Sequence, residues 1–276
     1  MDGMMRLSCL GSFRRSFVYR PWSMVLILVL QGCSSLGVYN PATGRREFIM
    51  ISTPSEVAMG KNVHRSIAQQ YKVLDYSEKW DRIRRIAGRL AAVSDRQDYQ
   101  YNLHLIEKDE MNAFTTPGGN IYVYTGLLDK LKTDDQAASV IAHEIGHCAA
   151  RHTVKKFQAA LSYNILSSLL ISQIEEDKTK RVTALSANTL MSVIFSGYSR
   201  QDEHEADRLG VKYMHLACFD PAASVETFEV LKSESEGAEG ILLFRSHPYI
   251  QDRIRDIRGE IPLLERKYGP RPSSCL

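Results

Sequence analysis

The sequence predicts an α+β fold, mainly helical, with a small β-sheet beside one metal-binding helix, and three observations carry that prediction. Apolar residues recur at helical spacing over long stretches, as in Ile83, Ile86, Ala87, Leu90 and Val93. Short runs rich in aromatic and β-branched residues flank the turn signal Pro117-Gly118-Gly119. His143-Glu144-Ile145-Gly146-His147 sets two histidines four residues apart, one above the other on a single helix face.

In chain order, Thr53-Pro54-Ser55-Glu56 opens a helix with a capping box and a proline at its first position, and Ser77 opens the next. Tyr99 to Glu107 alternates, Asn112 to Thr115 is a short strand, and Gly119 to Thr125 is a further one. The histidine helix starts near Thr133, with Gln136 completing its capping box. Ala137, Val140 and Ile141 form its apolar stripe, and Gly146 permits close backbone approach. A helical pair follows over about 154–174 and 182–198, split by a charged run at 175–181. Its Phe157, Leu161, Ile165, Leu169 and Leu170 are interrupted by Gln158, Ser162, Asn164 and Ser167, so it is no membrane span. Core packing is the default for this pair; a lid or membrane-facing hairpin over the cleft is the sharper reading. Arg200 to Ala217 forms another helix, Asp220-Pro221 starts one more, and Pro248 opens a short last helix. Pro270 and Pro272 mark a loose tail.

The N-terminus reads as an address. Arg6, Arg14, Arg15 and Arg20 precede an apolar run from Trp22 to Leu30, too short for a bilayer span, which needs about 20 apolar residues. Leu30-Gln31-Gly32-Cys33 is similar to a bacterial lipoprotein cleavage box, which makes Cys33 the lipidated first residue of the mature chain, and Ser34 resembles a signal for the outer membrane. The organisation is then a signal peptide at 1–32, a lipidated linker at 33–52, a catalytic domain at 53–258 and a tail at 259–276. The formal charge of +3 resides in the signal peptide, so the mature protein is near neutral and nothing points to nucleic acid. Cys148, Cys218 and Cys275 allow one disulfide, and Cys148 beside His147 reads as a buried structural thiol.

Imidazoles at this spacing suit Zn²⁺, one ion per chain, and a catalytic site needs three protein ligands plus a position for water. Zinc lowers the pKa of that water to about 7, and Glu144 stands beside it as general base. A third histidine would require Gly at 150 and His at 153, where the chain has Ala150 and Thr153. His152 lies about 140° around a continuous helix from His147 and misses the ion. Glu203 is the better third ligand, with Asp207 four residues on to orient a histidine from behind. Glu205, its rival, points about 160° away from that face. A solvated acidic helix surface is the competing reading of this run.

Asn112-Ala113-Phe114, Pro117-Gly118-Gly119, the histidine helix, Tyr198-Ser199-Arg200 leading to Glu203 and Ala206-Asp207, and His247-Pro248 with Arg253 occur in that order. This series resembles the glutamate-zincin family of the CAAX prenyl endopeptidase and the bacterial heat-shock membrane protease. Asn40-Pro41-Ala42-Thr43-Gly44-Arg45-Arg46 resembles the opening of its periplasmic and mitochondrial quality-control branch, which includes lipoproteins of the BepA and LoiP type. The resemblance implies a zincin-like metalloprotease domain with substrate on an edge strand at Asn112, Ala113 and Phe114. It implies Arg253 as a group that steadies the oxyanion, and His247 either as an inhibitory latch on the fourth metal position or as a catalytic donor. The implied function is a zinc endopeptidase on the periplasmic face of the outer membrane, acting on misfolded or stalled envelope polypeptides, with outer-membrane assembly machinery as a possible partner. The alternative is a metal-stabilised chaperone or assembly factor with latent proteolysis.

Overall fold

The computed structural model describes residues 37–74, 78–172, 187–235 and 242–271. The segment at 1–32 read as a signal peptide, Cys33, the charged run at 175–181 and Pro272 lie outside the described residues.

A two-stranded antiparallel hairpin, β1 (Val38–Asn40) and β2 (Arg45–Glu47), stands where the sequence was read as linker. Its turn has a local cause: the Asn40 side chain accepts from Ala42 N at 3.0 Å and donates to Glu47 at 2.9 Å, and Gly44 takes a φ of 67°. Helix α1 (Thr53–Gln70) is capped by Ser52, one residue earlier than predicted. Glu56, read as the capping-box partner, turns inward instead and forms a buried ion pair with Arg96, which also donates to Cys148 O at 3.3 Å. That pair fastens α1 to the end of the histidine helix, and removing either partner would cost about 3–5 kcal/mol.

Helix α2 (Glu78–Ala92) buries Ile83, Ile86, Ala87 and Leu90, the predicted stripe. Strands β3 (Asn102–Ile106), β4 (Ala113–Thr116) and β5 (Asn120–Tyr124) form a sheet in the order β3-β5-β4, with β3 parallel and β4 antiparallel to β5. The tight β4–β5 turn needs glycine, since Gly118 and Gly119 hold φ of 78° and 74°. Because side chains alternate along a strand, β5 sends Ile121 and Val123 into one core and Tyr122 and Tyr124 into another. Against the first face, with α2, lies α4 (Asp134–Ala149), which follows the short α3 (Thr125–Lys130). Its N-terminus is capped by Thr133, whose hydroxyl accepts from Gln136 N at 3.1 Å.

Helix α5 (His152–Ser172) and α6 (Ala187–Phe195) form the predicted pair. On the second face, α6 covers β4, with the Phe195 ring edge-on to Phe114 at 5.3 Å. No helix among the described residues is long and apolar enough to cross a membrane. The remaining helices are α7 (Arg200–Leu216), α8 (Ala223–Ser235), α9 (Leu242–Ser246) and α10 (Ile250–Tyr268). The last helix is not short, which corrects that expectation, and it runs on past residue 259. It continues because Ile257 and Leu264 keep helical spacing and bury against Val211 and Val225, and Pro262 is carried within it.

Candidate active site

Two helices supply most of the site, and two glycines set how near they come. A Cβ added at Gly146 of α4 would lie 2.6 Å from Ala206 O of α7, and one at Gly210 would lie 3.2 Å from His143 N. This approach brings Glu203 to the histidines. His143 Nε2 stands 3.0 Å from His147 Nε2, and Glu203 Oε1 is 3.5 Å from His147 Nε2. His247, placed just beyond α9, brings its Nδ1 to 3.2 Å from His143 Nε2 and 3.1 Å from Glu203 Oε1.

These four donors fit a zinc ion. Ligand bonds of 2.0–2.1 Å in a tetrahedron separate the donor atoms by about 3.3–3.4 Å, and the observed separations bracket that value. The donor set is three imidazoles and one carboxylate, within 4.8 Å of one another and almost wholly buried. Glu144 Oε2, which is not one of the donors, is buried beside this set without a hydrogen-bond partner.

The tautomers follow from what lies behind each ligand. His143 Nδ1 is 2.8 Å from Asp207 Oδ1, so that nitrogen carries the proton and Nε2 keeps its lone pair for a metal. His147 Nδ1 is 2.9 Å from His152 Nδ1, and His152 Nε2 is 3.1 Å from Glu205 Oε2. With Glu205 accepting from His152 Nε2, His152 Nδ1 is left to accept from His147, whose Nε2 then faces the metal. Arg45 of β2 holds the far oxygen of Glu205 at 2.7 Å. The 140° argument for His152 assumed one helix, whereas α4 ends at Ala149 and Arg151 adopts a φ of 59°, turning His152 back toward His147. Neither His152 nor Glu205 lies in the donor group, and both stand behind it. Tyr198, for which the sequence pattern signals no role, stacks on His147 with ring centroids 3.9 Å apart.

Electrostatics sort the carboxylates into different roles. Burial raises the pKa of Glu144, and the neighbouring His247, His143 and Arg253 oppose it without reversing the shift. Glu203 experiences the same burial, but Arg253 at 2.6 Å and His247 hold it well below the usual carboxylate range. Asp207 is likewise lowered against burial by Arg253, bound at 2.7 Å. Burial acts to lower His247, yet Glu203 and Glu144 raise it. Of the two carboxylates Glu144 is thus the better proton acceptor and Glu203 the one held ionised, the division expected of a base beside a ligand.

Of the predicted residues, His143, Glu144, His147, Glu203, Asp207, His247 and Arg253 converge on one centre. Arg253 is buried and engaged by both Glu203 and Asp207. Ala113 and Phe114 lie on the edge strand β4, with Asn112 immediately before it. Phe114 is buried under α6, and the buried Asn112 amide has no hydrogen-bond partner. Cys148 is a buried free thiol 2.7 Å from Thr115 Oγ1, its pKa pushed up to about 12 by burial, while Cys218 is disulfide-bonded.

A helix bearing two histidines and an adjacent glutamate, completed by a glutamate from a second helix, defines a zinc metalloendopeptidase. Residues 77–261 match the model of Peptidase family M48, and the chain belongs to that family. It is similar to the mitochondrial metalloendopeptidase OMA1 of Schizosaccharomyces pombe, 29% identical over 228 residues that make up 81% of this chain and 66% of that protein. It is also similar to the beta-barrel assembly-enhancing protease of Escherichia coli K12, 28% identical over 79% of this chain and 46% of that protein. The metalloprotease LoiP of the same organism is 30% identical over 66% of this chain and 70% of its own length. The chain thus spans between 46% and 70% of these relatives' lengths.

Proposed function

We propose that the chain is an endopeptidase of the bacterial envelope, held at the periplasmic face of the outer membrane by a lipid on Cys33, that hydrolyses misfolded or stalled envelope proteins. The observation that carries the chemistry is Glu144 beside a complete zinc donor set with one carboxylate oxygen unengaged. The lipoprotein-like Leu30-Gln31-Gly32-Cys33 and the likeness to a protease named for β-barrel assembly support the location.

His143, His147 and Glu203 would hold the metal, which when bound would polarise the scissile carbonyl and acidify a water. Glu144 takes the proton of the attacking water and returns it to the leaving nitrogen. Asp207 and His152 fix the ring orientations of the two ligating histidines. Substrate lies along β4 at Asn112, Ala113 and Phe114 as an added strand, which requires α6 to move from its place over Phe114.

A second reading, a chaperone or assembly factor with latent proteolysis, has one observation in its favour: His247 supplies a fourth protein donor where a catalytic zinc keeps water. The deciding experiment incubates envelope proteins with the zinc-loaded enzyme and with Glu144→Gln, and sequences the released peptides by mass spectrometry. Peptides that depend on Glu144 support the protease; identical digests exclude it. Membrane fractionation of Cys33→Ala tests the anchor, which predicts that the variant is lost from membranes after a high-salt wash.

A further inference from the structure

The β1–β2 hairpin and the residues that follow it are fastened to the domain on one side and apolar on the other. Side chains alternate along β2 and its extension, as they do in any extended chain. Arg45 and Glu47 turn toward the domain, where they pair with Glu205 of α7 at 2.7 Å and Lys155 of α5 at 2.8 Å. The Gln158 side chain of α5 holds the backbone beyond them, accepting from Met50 N at 2.7 Å and donating to Phe48 O at 3.1 Å. Phe48 and Met50, of the opposite parity, are 62% and 70% exposed. Tyr39 pairs with Arg46 across the hairpin, which puts it diagonal to Phe48 on the same face, and it is 59% exposed. Scattered exposed apolar residues are ordinary, but with Val38 these make four of the nine large ones exposed among the described residues, all within 38–50.

We infer that this face of the hairpin rests on the bilayer interface, with Tyr39, Phe48 and Met50 set among the lipid headgroups and upper acyl chains, and that it fixes which way the catalytic domain faces on the membrane. The inference rests on the lipid anchor proposed at Cys33 and deepens it from attachment to orientation. Cys33 precedes Val38 by five residues, which span at most about 18 Å when fully extended. A lipid on Cys33 therefore keeps the hairpin within reach of the headgroups. Transfer of Phe48 and Met50 out of water drives the contact, and tyrosine suits the same depth because its ring is apolar and its hydroxyl stays wet. Arg45 and Glu47, turned the other way into their ion pairs, need not be dehydrated. A lipid on a short chain gives attachment without direction. A hairpin bonded to α5 and α7 gives direction, because α7 also carries Glu203 and Asp207 of the active site.

The test places zinc-loaded protein, purified from membranes as the cell processes it, on phosphatidylcholine vesicles with and without bromine on the acyl chains. Phe48→Trp and Tyr39→Trp each put an indole in the patch, and Leu263→Trp puts one at an exposed position of α10; the wild-type fluorescence is subtracted. Bromine should quench the two patch indoles by about half or more, since an interfacial surface sinks roughly 5–10 Å into the headgroup and acyl boundary, and should leave Leu263→Trp unchanged. Adding Phe48→Glu and Met50→Glu to Tyr39→Trp should abolish its quenching while the protein stays on the vesicles and keeps its zinc. Undiminished quenching in that variant would overturn the apolar contact. Patch indoles quenched no more than Leu263→Trp in vesicle-bound protein would overturn the interface and leave the anchor at Cys33 standing. Quenching in protein that mass spectrometry shows to carry no lipid on Cys33 would keep the interface and remove the anchor. Patch emission that shifts to the blue with protein concentration and ignores bromine would mark the face as a contact between copies of the chain, which also overturns the inference.

Discussion

His152 Nδ1 lies 2.9 Å from Nδ1 of His147, a contact between two histidines in which only one can carry the proton. Glu205 decides which. By accepting from the opposite nitrogen of His152 at 3.1 Å, it forces Nδ1 of His152 to be the acceptor. Arg45, 2.7 Å away, helps hold Glu205 ionised against the effect of burial.

This contact predicts a graded effect on metal affinity. Glu205→Gln and His152→Ala should each weaken zinc binding by about 10–100-fold, as is usual for groups that orient a metal ligand, whereas Glu203→Ala should abolish tight binding. Competition with a chromogenic chelator measures all three. Equal affinities for wild type and Glu205→Gln would show that His147 needs no such orientation.

Glu144→Gln should keep zinc bound and lose peptide cleavage, because the donor group at His143, His147 and Glu203 survives while the proton acceptor is gone. Loss of about 10²-fold or more in casein hydrolysis is the expected result. Zinc content of the purified variant, measured alongside, separates a missing base from a missing metal.

How much of this site could be read from the chain depends on where its geometry comes from. His143, Glu144 and His147 follow from helical spacing alone, and Glu203 and Asp207 share a face for the same reason. The contribution of His152 was hidden because the break before it rests on a left-handed Arg151, a position where the sequence offers no glycine to signal a turn. Arg45 meets Glu205 across 160 residues, a contact that no local pattern encodes. The β1–β2 hairpin was legible in principle from Asn40 and Gly44. It lies close after the segment read as a signal peptide, however, where polar turn residues also fit a linker. The sheet was easier, since alternation in β5 divides Ile121 and Val123 from Tyr122 and Tyr124.

Lys156 of α5 gives a prediction about the cover over β4. Its ammonium donates to Ser196 O at 2.6 Å and lies 3.9 Å from the centre of the Tyr198 ring, and burial lowers its pKa to about 8 from an ordinary 10.5. Between those two pH values the unfolded chain holds more protons than the folded one, so this lysine makes folding stability rise with pH across that window. Below about pH 8 both states are protonated, and the cost of the buried charge is constant. Urea unfolding of wild type and Lys156→Met at pH 7.5 and pH 10 should therefore show wild type gaining on the variant at the higher pH. A difference that does not change with pH would remove the buried amine from the account.

The two roles open to His247 make opposite predictions. Its Nδ1 sits at tetrahedral-edge distance from His143 and Glu203, so at rest it occupies the position that an attacking water requires. The segment that carries it is braced: Arg253 contacts His247 O at 3.4 Å, and Tyr249 takes a left-handed φ of 71°, a conformation that residues other than glycine adopt at a cost. If His247 is an inhibitory ligand, only molecules with this segment displaced bind substrate productively, and His247→Ala should cleave a model protein faster than wild type while His143, His147 and Glu203 retain zinc. If it serves instead as a donor to the oxyanion, the same variant should lose about 10²-fold in turnover. The strain favours the first outcome, because a segment held in an unfavourable conformation is eased by release. A rate assay on zinc-loaded protein separates the two, and an unchanged rate would deny His247 both roles.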